Sequence, residues 1–277
     1  MTAPAYAELC VTSNFTFLTG ASHPEELVTR AAELGLTAIA ITDRNSVAGV
    51  VRAYSALKEL ARLRAETAEK AGPAIRSQRV IDPSSRQSVA TGADRGEEGR
   101  AEAGGGAAPG ADTPLPRLIP GARLALTDSP VDWLALPVDL AAWSRLTQLL
   151  SLGKRRAPKG ECHLTEDDVR RGGQGLILIA LPPDPMDTPL DPARLTRLAT
   201  AFPGFCFLGA APHYDGRDQA RLDRLAQLSQ AVNLPLVAVG NVLMHRAARR
   251  RPVVSRRDRR GLQQRRLRPQ AEPAAAG

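Results

Sequence analysis

Polar side chains placed at the ends of apolar runs are where this sequence could do chemistry. Leu9–Thr12 is a short apolar strand closing on small polar residues, with Cys10 and Thr12 in it and a Thr19-Gly20 turn soon after. Thr37–Ile41 is a second apolar run, and it ends in Thr42-Asp43-Arg44-Asn45. A buried strand whose last residues turn polar presents them at the mouth of a βα barrel or sheet, where active sites are built.

The remaining reactive residues give weaker signals. Cys10, Cys162 and Cys206 are odd in number and widely spaced, with no zinc or redox pattern, and read as ordinary thiols of a reducing compartment. Cys10 reads as a small packed residue. His23 reads as a helix-entry residue, His163 as a solvated loop residue, and His245, after Leu-Met, as a rim candidate. Asp184 and Asp187 in PPDPMDTP are turn residues. Gly104–Gly106 lacks the strand, helix and Lys of a phosphate-cradling loop.

The elements that must position these groups alternate. Pro24–Leu34 is an amphipathic helix, with Ser22 and Glu25 at capping-box spacing, Pro24 in the first turn and Gly35 as left-handed stop. Ser46–Arg64 reads as a long helix burying Val47, Val50, Val51, Tyr54, Leu57, Leu60 and Ala61. Ala65–Pro116 has no aromatic and few large aliphatics; it cannot bury enough apolar area to offset chain ordering and is predicted to be a disordered insertion. Order resumes at Arg117–Leu126, one strand or two short ones, and at the strand Trp133–Val138. A helix then spans Asp139–Leu152, capped by Asp139, with Leu140, Trp143, Leu146, Leu149 and Leu150 inward. A basic loop, GKRRAPKGE, precedes a short acidic helix capped by Thr165. Strands at Gly175–Leu181, Phe205–Ala211 and Leu234–Val239 alternate with helices beginning at Asp191–Pro192 and at Gly216. About seven short strands, most alternating with helices, argue an α/β fold with a parallel sheet covered by helices; periodicity does not separate an open sheet from a barrel.

The chain has 277 residues, 43% of them apolar, enough for one large domain. No apolar run approaches the ~18 residues of a membrane span, and the first residues lack a basic leader, so a cytoplasmic protein without membrane contact is expected. The net charge of +8 is concentrated at the end: from Arg246 onward there are 11 arginines against one Asp and one Glu, leaving −1 for everything before. Basicity is therefore a tail property. The tail residues Arg249, Arg250, Arg251, Arg256, Arg257, Arg259 and Arg260 would bind phosphates in a salt-dependent, sequence-independent way.

The string ELCVTSNFTFLTGASHPEELVTRAAELGL…AIAITDRNSVAGVVRAY resembles the start of the PHP (polymerase and histidinol phosphatase) domain of C-family bacterial DNA polymerases, the polymerase III α-subunits, and most of all their error-prone branch. The likeness continues through LIPGARLAL, GKRRAPKGECHLTEDDV and LPLVAVGNVLMHRAARR, and stops near Arg250. It implies a distorted seven-stranded βα barrel over residues 1–248, interrupted by the 65–116 insertion and followed by a disordered Arg-rich segment, 249–277. That segment reads either as the product of a reading-frame change or as a basic nucleic-acid arm.

Active PHP members hold divalent ions at the C-terminal rim of the barrel with His, Asp and Glu, because such ions neutralise a phosphate and generate hydroxide. The positions that the resemblance assigns to those ligands carry Cys10, Thr12, Thr19, Asp43, Arg44, Arg123, Asn241 and Leu243, with His213 near a late histidine position. Only Asp43 and His213 are possible remnants. The resemblance thus implies participation in error-prone, damage-associated DNA synthesis through a scaffold barrel with a degenerate metal site. No catalytic residue and no cofactor are expected, with zinc or manganese relevant only if the site still binds metal, and Asp43 is expected to pair with an arginine. The polymerase palm is not among these residues, so no polymerase activity is expected of the chain alone. DNA would be met through the full-length polymerase, and palm and thumb domains or accessory mutagenesis proteins would be the partners. The rival is a metal-dependent phosphoesterase or exonuclease.

Overall fold

The computed structural model describes residues 5–71, 114–183 and 192–249. The strands are β1 (Ala7–Val11), β2 (Ala38–Ile41), β3 (Arg117–Pro120), β4 (Ala122–Ala125), β5 (Asp132–Pro137), β6 (Leu176–Leu181), β7 (Cys206–Ala210) and β8 (Leu236–Ala238). The helices are α1 (Pro24–Glu33), α2 (Ala48–Ala71), α3 (Leu140–Arg155), α4 (Glu166–Gly172), α5 (Pro192–Ala201) and α6 (Asp218–Val232), with a 3-10 turn at Ala247–Arg249.

Two sheets form: β1-β2-β3, all parallel, and β4-β5-β6-β7-β8. Two joints link them. Arg44 bridges Arg123, with Arg123 N–H donating to Asp43 O (3.1 Å) and Asn45 N–H to Arg123 O (2.8 Å). Val11 bridges Val242, with Thr12 N–H donating to Val242 O and Val242 N–H to Cys10 O, both 2.8 Å. Strands β3 and β4, separated by Gly121 alone, act as one bent stave beside β2. The joints therefore link the sheets into a ring of seven staves, the distorted barrel that the resemblance implies. The sheet is less parallel than the alternation suggested: β5 runs antiparallel to both β4 and β6. The short β4–β5 connection admits only an antiparallel neighbour.

Strand parity sorts the side chains into layers. Trp133, Ala135, Leu176, Leu178 and Leu208 face outward onto Leu146, Leu149, Leu195, Leu198 and Leu225 of α3, α5 and α6. Val11, Ile39 and Ile41 face outward onto Leu27, Val28, Ala31 and Ala53 of α1 and α2. Cys10, Ala40, Leu134, Leu136, Ile179, Leu181 and Val239 fill the interior of the ring.

The local chemistry follows expectation at several ends. The Asp139 carboxylate accepts from Ala142 N–H at 2.7 Å to start α3. Thr165 and Asp168 exchange hydrogen bonds at the head of α4, and Gly35 sits at φ 67. Other expectations are corrected. The N-cap of α1 is His23, whose N–H donates to Glu26 (2.8 Å), because Ser22 is engaged by His245. Helix α2 runs to Ala71, so the first seven residues assigned to the insertion are helical, and the last three, Pro114, Leu115 and Pro116, lead directly into β3; residues 72–113 lie outside the described residues. Val51, Tyr54 and Ala61 are exposed, the inner face of α2 being Val50, Ala53, Leu57 and Leu60. Leu140 is exposed too, and Gly153–Arg155 belong to the last turn of α3 instead of a loop.

Candidate functional site

A cleft of about 660 Å³ opens at the rim of the ring where β1 and β2 end. Parity explains its lining. On β1 the inward side chains are Glu8, Cys10 and Thr12, so Thr12 reaches the mouth. On β5 Asp132 is inward, two residues before Leu134, and the antiparallel run of the strand brings it to the same end. Arg123 lies between the outward Ala122 and Leu124 and faces inward as well. Gly209, Ala211 and Gly240 supply almost no side chain, which leaves the space open.

The structure gathers the positions picked out in the sequence. Thr12, Thr19, Arg44, Arg123, His213, Asn241 and Leu243 all line the cleft. Cys10 lies below it, fully buried, with Sγ 3.6 Å from Asn241 Oδ1. Burial pushes its thiol up to about 12, so it rests as the neutral thiol at neutral pH. Asp43 is also buried and does not line the cleft.

Asp43 pairs with neither arginine, contrary to expectation. Its carboxylate accepts Ser13 N–H (2.8 Å), Ser13 Oγ–H (2.8 Å to Oδ2, 3.0 Å to Oδ1) and Thr16 Oγ1–H (2.9 Å). Gly49 at the start of α2 also donates its N–H. A Cβ at Gly49 would lie 2.4 Å from Asp43 Oδ2, so only glycine lets the helix approach this closely. Burial raises the Asp43 carboxyl above its ordinary range, opposed by these four donors. The arginines converge instead on Asp132: Arg123 Nε at 2.8 Å and Arg44 Nη1 at 3.6 Å. Arg123 Nη1 also donates to Asn241 Oδ1 at 3.2 Å.

Ser13, Thr16, Asp132 and Glu8 escaped the sequence reading. Glu8 is buried and accepts Cys10 N–H (2.8 Å), Gly240 N–H (2.9 Å) and Tyr6 O–H (2.9 Å), tying the first stave to the last. The polar Ser-Asn-Phe-Thr run after β1 was the available signal for Ser13 and Thr16. His213 contributes its backbone N–H to Asp218 (2.8 Å) and its ring borders the cleft. His163 is solvated beside Glu161, whereas His245 packs on Ser22 (2.8 Å) away from the cleft. Of the tail arginines, Arg249 ion-pairs with Glu26 at 2.6 Å; Arg250, Arg251, Arg256, Arg257, Arg259 and Arg260, like Asp184 and Asp187, lie outside the described residues.

These residues do not fit a catalytic metal cluster. Among the described residues no group of three or more His, Cys, Asp or Glu side chains is placed to hold an ion. The oxygens of Asp43 are spent on neutral donors, and two guanidinium groups occupy the mouth. What the mouth can do is attract an anion.

The PHP domain family matches residues 8–83. The chain is 58% identical over 247 residues to an error-prone DNA polymerase of Ruegeria pomeroyi, which covers 88% of this chain and 20% of that protein. It is 39% identical to an error-prone DNA polymerase of Rhodopseudomonas palustris and 37% to one of Caulobacter vibrioides, each over 90% of this chain and 18% of the relative. The chain thus spans about a fifth of the length of the curated relatives it matches. A crystal structure of a Bifidobacterium adolescentis protein assigned as a metal-dependent phosphoesterase superposes with a TM-score of 0.51 at 13% identity, covering 92% of this chain and 98% of that one; this likeness concerns the fold alone. The ring of staves, the match of residues 8–83 to the PHP domain family and the identity along most of the chain agree: this chain is similar to the PHP-containing part of error-prone DNA polymerases.

Proposed function

We propose that this chain is the PHP barrel of an error-prone DNA polymerase and serves DNA-templated synthesis past damage as a scaffold, without metal chemistry or nucleotidyl transfer of its own. The observation that carries the reading is the 58% identity to a relative of that name, combined with a rim where Thr12, Thr19, Arg44, Arg123, Asn241 and Leu243 stand at the ligand positions. Asp43 and His213 are remnants that act through hydrogen bonds. The barrel comprises residues 1–248, with the insertion inside it, and works in the cytoplasm. Its partners are palm and thumb domains or accessory mutagenesis proteins, and DNA is met through that assembly. Exposed Val51, Tyr54 and Leu63 on α2 give such a neighbour an apolar surface to cover. The arginines beyond residue 248 add non-specific phosphate affinity.

A domain exchange tests this. The segment of the Ruegeria pomeroyi polymerase that matches this chain is replaced by residues 5–249, and primer extension is measured. Retained extension by the chimera, with none by the 277-residue chain alone, is expected. A soluble chimera without activity, or metal-dependent phosphoester hydrolysis by the chain alone, would overturn the reading.

A further inference from the structure

We infer that the cleft is a metal-free binding site for a phosphate monoester of a nucleotide. Only the choice of a nucleotide as ligand rests on the reading above; the anion site stands on geometry. Arg44 and Arg123 share one carboxylate, Asp132, which leaves one positive charge uncompensated at the mouth. The Arg44 side chain is 46% exposed and meets Asp132 at only 3.6 Å, so its guanidinium can turn to a ligand while Arg123 keeps Asp132. The carboxylates beneath, Asp43 and Glu8, are held by donors of their own and do not face the opening.

A second observation points to a ligand. Thr12 lines the cleft, is 2% exposed, and its Oγ1 has no hydrogen-bond partner. A buried hydroxyl without a partner is uncommon, and a phosphate oxygen beside two guanidinium groups would satisfy it.

The rim supplies a surface for a base. Among the described residues five non-glycine residues have positive φ; three are asparagines, which tolerate it, and the other two are Leu18 (φ 63) and Tyr214 (φ 56). Both line this cleft. Asp218 accepts the N–H groups of His213 and Tyr214 at 2.8 and 2.9 Å, which fixes the strained turn and leaves the ring 87% exposed. Strain that holds an apolar ring in water beside a cationic cleft has a use if the ring stacks on a base. No cleavage is implied, because nothing in the cleft activates water.

Binding is measured by fluorescence anisotropy on the full chain in EDTA, with a decameric oligothymidylate carrying either a 5′-phosphate or a 5′-hydroxyl. Deoxythymidine monophosphate and inorganic phosphate serve as competitors. The Arg-rich tail reads backbone phosphates and contributes nearly equally to both oligonucleotides, so the difference isolates the cleft. The expected result is tighter binding of the phosphorylated end by roughly tenfold, the scale of a lost charge-assisted contact, abolished in Arg44→Gln and reduced in Thr12→Val. Arg44→Gln keeps the backbone bonds that join the staves, and its melting curve verifies the fold. Tyr214→Ala should remove the advantage of the mononucleotide over inorganic phosphate. Competition by the mononucleotide assigns the site to free nucleotides as well; failure to compete assigns it to DNA ends. Equal binding of both oligonucleotides, a preference that survives Arg44→Gln, or one that requires added zinc or manganese would overturn the inference. None of these outcomes depends on the chimera's activity.

Discussion

Replacing Asp43 by alanine removes the acceptor on which one end of the barrel is assembled. Four donors lose their partner. The hydroxyls of Ser13 and Thr16 can rotate toward other acceptors, but the N–H groups of Ser13 and Gly49 are fixed by the backbone. An orphaned buried donor costs ~1–3 kcal/mol, so two cost about 2–6 kcal/mol. Relief from burying a carboxylate, whose titration burial already displaces upward, recovers part of this. The net expectation is a loss of about 3 kcal/mol, a large share of the ~5–15 kcal/mol that stabilises a domain. At about 2–4 °C per kcal/mol for this size, the melting temperature should fall by about 6–12 °C. Asp43→Asn keeps one oxygen and the shape, and should lose about half as much. Denaturant melts followed by circular dichroism, in EDTA and again with manganese, give the answer. A loss under ~1 kcal/mol for Asp43→Ala, or a wild-type protein whose stability depends on manganese through Asp43, would refute the claim that this carboxylate is a hydrogen-bond acceptor first.

Three further outcomes can be checked. Because the folded-state Asp43 carboxyl titrates above its ordinary 3.8, the native state holds the proton longer than the unfolded chain, and this group's contribution to stability is lost as pH rises through that window; the stability difference between wild type and Asp43→Asn should therefore shrink from about pH 4 upward and level off once Asp43 is ionised, read from paired melts. Thr165→Ala should cost about 1 kcal/mol by uncapping α4, and the cost of Asp168→Ala, whose carboxyl is held low by Arg156 and Thr165, should fade below about pH 3.8, both by denaturant melts. Iodoacetamide should modify Cys162 first under native conditions, since Cys10 and Cys206 are buried with thiols pushed up to about 12; mass spectrometry showing Cys10 alkylated at the same rate would contradict its place inside the ring.

Much of the architecture was written in local pattern. The caps at Asp139 and Thr165 and the apolar strands depend on neighbours a few residues away. The rim residues were readable from the resemblance, and the cleft brings most of them together. Their partners were not. Asp43 and Arg44 are adjacent in sequence, so pairing Asp43 with an arginine was natural; the side chains point to different layers, and Asp43 meets Ser13 and Thr16 about 30 residues earlier. Asp132 was invisible because its place at the mouth requires β5 to run antiparallel, a fact of the sheet that no local periodicity carries. Val51 and Tyr54 have the hydrophobicity of core residues, but α2 offers only the stripe through Ala53 and Leu57 to the barrel.

The joint between Val11 and Val242 closes contacts between residues more than 230 positions apart, reinforced by Glu8 on Gly240 and by His245 on Ser22. Loop-closure entropy makes such pairings late events, so β4 and β5, joined by a short turn, should pair before the ring shuts. Until then the layer around Cys10 is open to water on one side. A chain in which residues 240–245 are held away from β1 during synthesis would carry an exposed pair of sheet edges, the condition under which strands recruit neighbouring chains.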